Sequence, residues 1–217
     1  MTSTASIYDQ RRVLVYGASG HAKVVIDALE KQGRYQIVGL IDDDAELKGQ
    51  DIYGYKVLGD KSDVSAQQSR LCIVAIGDNR IRSEVANWLL SNEFAFPEAV
   101  IHPSAQLARG AAIGTGSVAM AGSVINSDTQ VGSNSIVNTL ATIDHDCRIG
   151  ESVHISPGAA LCGGVSIGDF SLIGAGSTIC PNVSIGQNVV VGAGSTVLDD
   201  IADNLTVAGT PARELTR

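Results

Sequence analysis

Aromatic residues are scarce in this chain of 217: one Trp, five Tyr and three Phe. Ring packing therefore cannot build most of the interior, and a narrow core of aliphatic side chains is favoured. Lysine is absent beyond residue 61, and the formal charge is −8. Residues 1–100 carry 11 basic and 14 acidic groups, and residues 101–217 carry 4 and 9. Both parts are acidic, which disfavours charge-driven binding to nucleic acid. No apolar run is long enough to cross a membrane. The start, MTSTASIYDQRR, is polar, shows no signal peptide and reads as disordered. None of the four cysteines forms a C-x-x-C pair. Cys72 and Cys147 read as core fillers. Cys162 and Cys180 are spaced to stack, so a disulfide is geometrically conceivable. Nothing points to an oxidising compartment, and the cytoplasm is the expected location.

What is present is a repeat. From Ile101, every sixth residue through Val197 is Ile, Leu or Val in sixteen of seventeen cases, Ala119 being the exception. The fifth position of each unit is small or β-branched, as at Ala105, Ser117, Cys147 and Val153. Gly follows the aliphatic residue at several units, among them Gly114, Gly132 and Gly150. A six-residue period implies a solenoid of very short strands. Three units make a triangular coil, so equivalent positions recur every eighteen residues and coils stack at about 4.8 Å. No unit buries its apolar face alone, but the stack forms one column. Two domains are expected, 1–100 and 101–217, the second ending in a cap.

The front domain reads as α/β. Residues 12–16 (RVLVY) are a strand, followed by Gly17-Ala18-Ser19-Gly20-His21 and a helical run through Leu29. A second strand, 35–41, ends in Asp42-Asp43-Asp44. A third, 71–76, ends in Gly77, and a helix follows around 81–90. A Gly turn that opens a helix offers backbone N–H groups to a phosphate, and an acidic strand end offers acceptors to a ribose or base. The motif is G-x-x-G-H, which argues against a standard NAD site. Asp42, Asp43 and Asp44 read equally well as a solvated turn. The stretch 48–59 reads as a loop with a short strand.

The most informative polar run of the repeat is Asp144-His145-Asp146. His145 points away from the core column and suits a general base. The alternative is an exposed histidine in a polar turn. His154 lies nine residues on, on a different edge of the coil. His102 reads as structural.

The GASGH turn, the DD strand end, the AIG-x-N segment and the hexapeptide repeat together resemble the nucleotide-sugar N-acetyltransferases that act on UDP-4-amino sugars. They are also similar to sialic-acid O-acetyltransferases and GDP-perosamine N-acetyltransferases. The resemblance implies a Rossmann-like domain followed by a left-handed parallel β-helix, and a homotrimer with acetyl-CoA as cosubstrate between neighbours. It implies catalytic roles for His145, Asp146 and Asn138; Asp146 stands where the family usually carries Glu. It gives His154, Gly163, Ala175 and Ala193 to acetyl-CoA, and Ser19, Gly20, His21, Asp42, Asp43 and Gly77 to a nucleotide-linked amino sugar. It implies that the sugar amine reaches His145, and that Arg213 meets a CoA phosphate or caps the last coil. No metal is expected. A γ-carbonic-anhydrase-like enzyme needs three metal-binding histidines, and His102, His145 and His154 are separated by 43 and 9 residues, the wrong spacing. A non-catalytic nucleotide-binding scaffold is the remaining alternative.

Overall fold

The computed structural model describes residues 12–67 and 69–215. Of the polar start, residues 1–11 lie outside the described residues. Contacts divide the chain into two units, Met1–Val100 and Ile101–Arg217.

The first unit is built on β1 (Arg12–Tyr16), α1 (Gly20–Gln32), β2 (Gln36–Ile41), β3 (Asp51–Ile52), β4 (Tyr55–Gly59), β5 (Leu71–Val74) and α2 (Asn79–Ser91). The sheet order is β3-β4-β2-β1-β5, with β1 parallel to both β2 and β5. The continuous apolar run of β1 is buried, as a central parallel strand covered on both faces requires. Gly17 has φ +113°, and a Cβ there would lie 2.7 Å from the carbonyl oxygen of Ala75. Only glycine lets the β1–α1 turn pass so close to the end of β5. The stretch 48–59 differs from its sequence reading: it is a hairpin of β3 and β4, joined through Tyr53 and Gly54 with positive φ. Tyr55 Oη donates to Glu30 Oε1 at 2.9 Å and ties the hairpin to α1.

The second unit is a left-handed parallel β-helix. Its two-residue strands pair in parallel with strands eighteen residues on: Ile125 with Ile143, Ile143 with Leu161, Leu161 with Ile179. The strands form three faces. The first runs through Val118–Ala119, Ile136–Val137, His154–Ile155, Leu172–Ile173 and Val190–Val191; the second through Val124–Ile125, Thr142–Ile143 and Ala160–Leu161; the third through Gln130–Val131, Arg148–Ile149 and Ser166–Ile167. We call the turns after these faces the first, second and third corners. Ile125, Ile143, Ile155, Ile173 and Val191 are fully buried in one column. A hairpin of Thr206–Gly209 and Ala212–Glu214 extends the first face at the C-terminal end. Arg213 lies in it, exposed, donating to the carbonyl of Ala212.

The corners reveal a position that the aliphatic register does not show. The fourth residue of most units is left-handed: Asp128, Asn134, Leu140, Asp146, Ser152, Gly158, Gly164 and Phe170 all have φ between 53° and 72°. Gly, Asn and Asp accept this backbone at least cost.

Candidate active site

The second corner holds Asp144, His145 and Asp146. His145 Nδ1 lies 2.8 Å from Asp146 Oδ2, and both side chains are exposed. Because Asp146 is left-handed there, its carboxylate turns back onto the ring beside it. This accounts for Asp at the place where the family resemblance leads one to expect Glu: the backbone favours the shorter residue. Asp144 Oδ1 accepts from the His145 N–H at 2.8 Å and from Asn126 Nδ2 at 3.1 Å. The hydrogen bond to Asp146, then the charge of Asp144, raise the His145 pKa above the usual 6.5. The His145 N–H and the Asn126 amide hold Asp144 below the usual carboxylate value. The carboxylate on Nδ1 keeps the ring proton there, so Nε2 carries the lone pair of a base. The ring lies against the coil above: a Cβ at Gly163 would come within 2.6 Å of His145 Nε2 and Cε1.

A second pair sits where the first face meets the first corner. Asn138 Nδ2 and His154 Nε2 are 3.0 Å apart. His154 projects outward from the first face, between Ile136 below and Leu172 above. Asn138 thus pairs with an imidazole. His102, also at the first corner, is buried, with Nδ1 2.7 Å from the Ser104 hydroxyl.

In the first unit, Ser19 and Gly20 line a cleft of about 360 Å³ with Ala18, Lys23 and the hairpin residues Gln50 to Tyr53. Ser19 is the N-cap of α1, but its side chain makes no capping bond and the first turn holds no acid. Asp78, by contrast, caps α2 through the Ile81 N–H. His21 lies in the first turn of α1, half-buried. Gly77 follows the end of β5, and neither Gly20 nor Gly77 has an atom within 4 Å of where a Cβ would stand.

The chain is matched by a model of the PglD N-terminal domain over residues 12–89, and by the bacterial transferase hexapeptide model (six repeats) over 146–180 and 164–199. A histidine-to-asparagine mutant of perosamine N-acetyltransferase from Caulobacter crescentus, in complex with CoA and GDP-perosamine, superposes with a TM-score of 0.89 at 36% identity, over 94% of this chain and 97% of that one. The acetyltransferase domain of PglB from Neisseria gonorrhoeae, in complex with acetyl coenzyme A, gives 0.88 at 38% identity, over 95% and 100%. This chain belongs to the hexapeptide-repeat nucleotide-sugar N-acetyltransferases. WeeI from Acinetobacter baumannii shares the fold at 28% identity and a TM-score of 0.86, over 94% and 99%. An uncharacterized protein of Acanthamoeba polyphaga mimivirus is 36% identical over 109 residues, which are 49% of this chain and 22% of that protein. The chain thus spans about a fifth of that curated relative.

Within this N-acetyltransferase the residues expected from sequence fall into separate groups. His145, Asp146 and Gly163 share the second corner. Asn138, Ala175 and Ala193 stand at the first, beside His154. Ala175 and Ala193 are exposed, and among the described residues their amides and that of Gly163 donate no hydrogen bond. Cys162 and Cys180 stack at the second corner as free thiols. Asp42 and Asp43 each accept two hydrogen bonds within the chain. Asp42 Oδ2 accepts from the Ala18 N–H at 2.7 Å and Oδ1 from the Asp44 N–H at 2.9 Å. Asp43 accepts from Tyr16 Oη and from the Lys61 N–H. These two acids build the turn. Asp44 caps the short helix after it, through the Glu46 N–H.

Two contributors escaped the sequence reading. Lys23 lines the cleft one turn into α1. Arg82, fully buried in α2, donates to the carbonyls of Ile76 and Gly77 and to Asn79 Oδ1. Burial lowers its pKa to about 10. It fixes the backbone of the β5–α2 turn. No sequence signal separates it from the other arginines of an amphipathic helix.

Proposed function

We propose that this protein transfers the acetyl group of acetyl-CoA to the amine of a nucleotide-linked 4-amino sugar, with His145 as general base. The observation that carries this reading is the exposed His145 ring: its Nδ1 is held by Asp146 and its Nε2 has no partner among the described residues. The amine nitrogen attacks the thioester carbonyl, the C–N bond forms, and His145 Nε2 takes the amine proton. The C–S bond then breaks and CoA leaves as the thiol, with the proton returned to sulfur. The Asp146 carboxylate stabilises the imidazolium formed on the way.

Acetyl-CoA is assigned to the corners of the β-helix. Its pantetheine arm is neutral and rich in amides, which suits the undonated backbone amides of Gly163, Ala175 and Ala193. The nucleotide is assigned to the first unit. The start of α1 has no side-chain cap and no acid, so its N–H groups and dipole suit a pyrophosphate, and Lys23 adds a positive charge. Packing does not account for glycine at Gly20 and Gly77, whereas close approach of a ligand to the backbone does. Asp42 acts at one remove, holding the Ala18 amide and so the shape of the turn.

A homotrimer completes the reading. Within one chain, His145 and the Asn138–His154 pair stand on different corners. The outward residues of the first face above His154 are the aliphatic Leu172, half-buried, and Val190, exposed, whereas those of the third include Gln130, Arg148 and Ser166. An aliphatic outer face suits a neighbouring copy, which would supply the second corner. The cytoplasm, where acetyl-CoA and nucleotide sugars occur together, is the proposed compartment.

The test is release of CoA thiol from acetyl-CoA with a panel of UDP-, GDP- and dTDP-linked 4-amino sugars, with the product identified by mass. One acetyl group gained as an alkali-stable amide supports the reading. An alkali-labile ester points to O-acetylation instead. No thiol release with any amino sugar or sugar overturns the enzyme reading.

A further inference from the structure

The backbone ladder of the β-helix leaves one amide of the second corner without an acceptor. The N–H of Asp144 donates to the Leu161 carbonyl and that of Asp146 to the Ser127 carbonyl, but the N–H between them, that of His145, makes no backbone hydrogen bond. A side chain must serve it. At the first corner Asn138 does this for Thr139, and at the second Asp144 does it for His145. Both capping residues stand at the same position of their units, and both accept through Oδ1, at 2.7 and 2.8 Å. A neutral amide is therefore a sufficient cap in this fold, and the charge of Asp144 calls for a further reason.

That carboxylate is also anchored from the coil below. Asn126 and Asp144 follow the paired residues Ile125 and Ile143, so they stack eighteen residues apart. Asn126 Nδ2 donates to Asp144 Oδ1 at 3.1 Å. One oxygen thus accepts twice, which holds the charge still beside His145. Asp146 meanwhile holds the ring through Nδ1 at 2.8 Å. The imidazolium formed when Nε2 takes a proton then has an acid on either side of it in the chain. The other groups around Asp144 add no charge. Asn126 and Ser127 below are uncharged, and the thiols of Cys147 and Cys162 are pushed up, by burial above all, and stay neutral.

We propose that Asp144, clamped by Asn126, is a positioning residue for the base: it fixes the backbone of His145 and sets a second, stationary carboxylate beside the imidazolium, Asp146 bonding the ring and Asp144 the backbone. Asn126 positions the base at one further remove, from a coil that the sequence separates from His145 by a full turn of the helix. The arrangement of charges rests on geometry alone; its service to turnover rests on the acetyl-transfer reading.

The experiment uses the intact protein without substrates and follows the ring signals of His145 by NMR as pH is varied, with His145→Gln assigning them. Asp144→Asn keeps an oxygen for the His145 N–H and for Asn126 but removes the charge, and Asn138 shows that such a cap fits. The titration midpoint of His145 should fall below that of the wild type. The acid limb of kcat/KM should move to lower pH with it, while the KM for acetyl-CoA stays near normal. Asn126→Ala does the converse: the charge remains and its clamp is lost. The midpoint should then stay close to the wild type, while kcat falls about three- to tenfold, the worth of one hydrogen bond. An unmoved midpoint in Asp144→Asn overturns the proposal, because Asp144 is then a cap and nothing more. Full kcat in Asn126→Ala overturns the part given to Asn126. If Asp144→Asn does not fold, Asp144→Ser, a shorter neutral cap, is read in the same way. A lowered midpoint together with no acetyl transfer by the wild type leaves the two-acid arrangement standing and removes the functional reading.

Discussion

His145 carries the chemistry in this reading, and its surroundings set how activity depends on pH. The base must be neutral to accept a proton. Asp146 and Asp144 favour the imidazolium and so raise the pKa. Activity is therefore lost as pH falls through a value above the ordinary 6.5. Asp146→Asn removes the largest cause, so the acid limb of kcat/KM should move to lower pH. The plateau rate should also fall, because a weaker base remains. An unmoved limb would separate Asp146 from the base. His145→Ala should lower turnover by about two to four powers of ten and leave the fold intact, because the ring is exposed. Gly163→Ala distinguishes two roles for that residue. Its new Cβ would meet the His145 ring at 2.6 Å and push Nε2 aside. Turnover should fall by about a hundredfold, with the KM for acetyl-CoA near normal because the backbone amide survives. A raised KM with unchanged kcat would return Gly163 to a cosubstrate contact alone. The polar run at 144–146 was legible because it sets a histidine between two acids at the outward positions of a unit. The contacts that Asp42 and Asp43 make within the chain were not legible. A sequence shows a carboxylate at a strand end, not whether nearby backbone N–H groups already occupy it.

At the level of elements, the six-residue phase gave the strands, and the stacking of backbone on backbone gives the glycines. Gly132 is one of several that follow the inward aliphatic residue. A Cβ there would lie 2.5 Å from the carbonyl oxygen of Gly150 in the next coil. Gly132→Ala should destabilise the β-helix by about 1–3 kcal/mol, read from a lowered thermal midpoint. A midpoint equal to wild type would mean that the coils separate without cost. The left-handed fourth position was less legible. Asp, Asn and Gly mark it in most units, but Leu140, Ser152 and Phe170 interrupt the signal, and the aliphatic register draws the eye elsewhere. In the first unit, α1 and α2 begin earlier than their apolar periodicity suggests: Asp78 caps α2 through the Ile81 N–H, and α1 opens straight from the glycine turn without a side-chain cap. The hairpin of β3 and β4 was missed as such because its strands are short and its turn uses Tyr53 with positive φ, a residue that gives no turn signal.

For the whole molecule, the expected assembly is a trimer, and the aliphatic outer face is where to break it. Leu172→Glu places a charge beside His154 on that face. Light scattering should show a trimer for the native protein and smaller species for the variant, with acetyl transfer lost at the same time. A fully active monomer would remove the shared-site reading. The eighteen-residue repeat has a consequence for how such a chain can change in length. Removing a single unit of six between His145 and Gly163 would carry every later residue round to the previous face. Gly163 would leave the corner of His145, and Ala175 and Ala193 would leave that of Asn138. Removing the eighteen residues 107–124 would bring Ile125 to the place of Leu107, shorten the stack by one layer and leave every later corner in register. Insertions and deletions inside the β-helix are thus silent or ruinous according to their remainder on division by eighteen, a rule that no single residue in the chain displays.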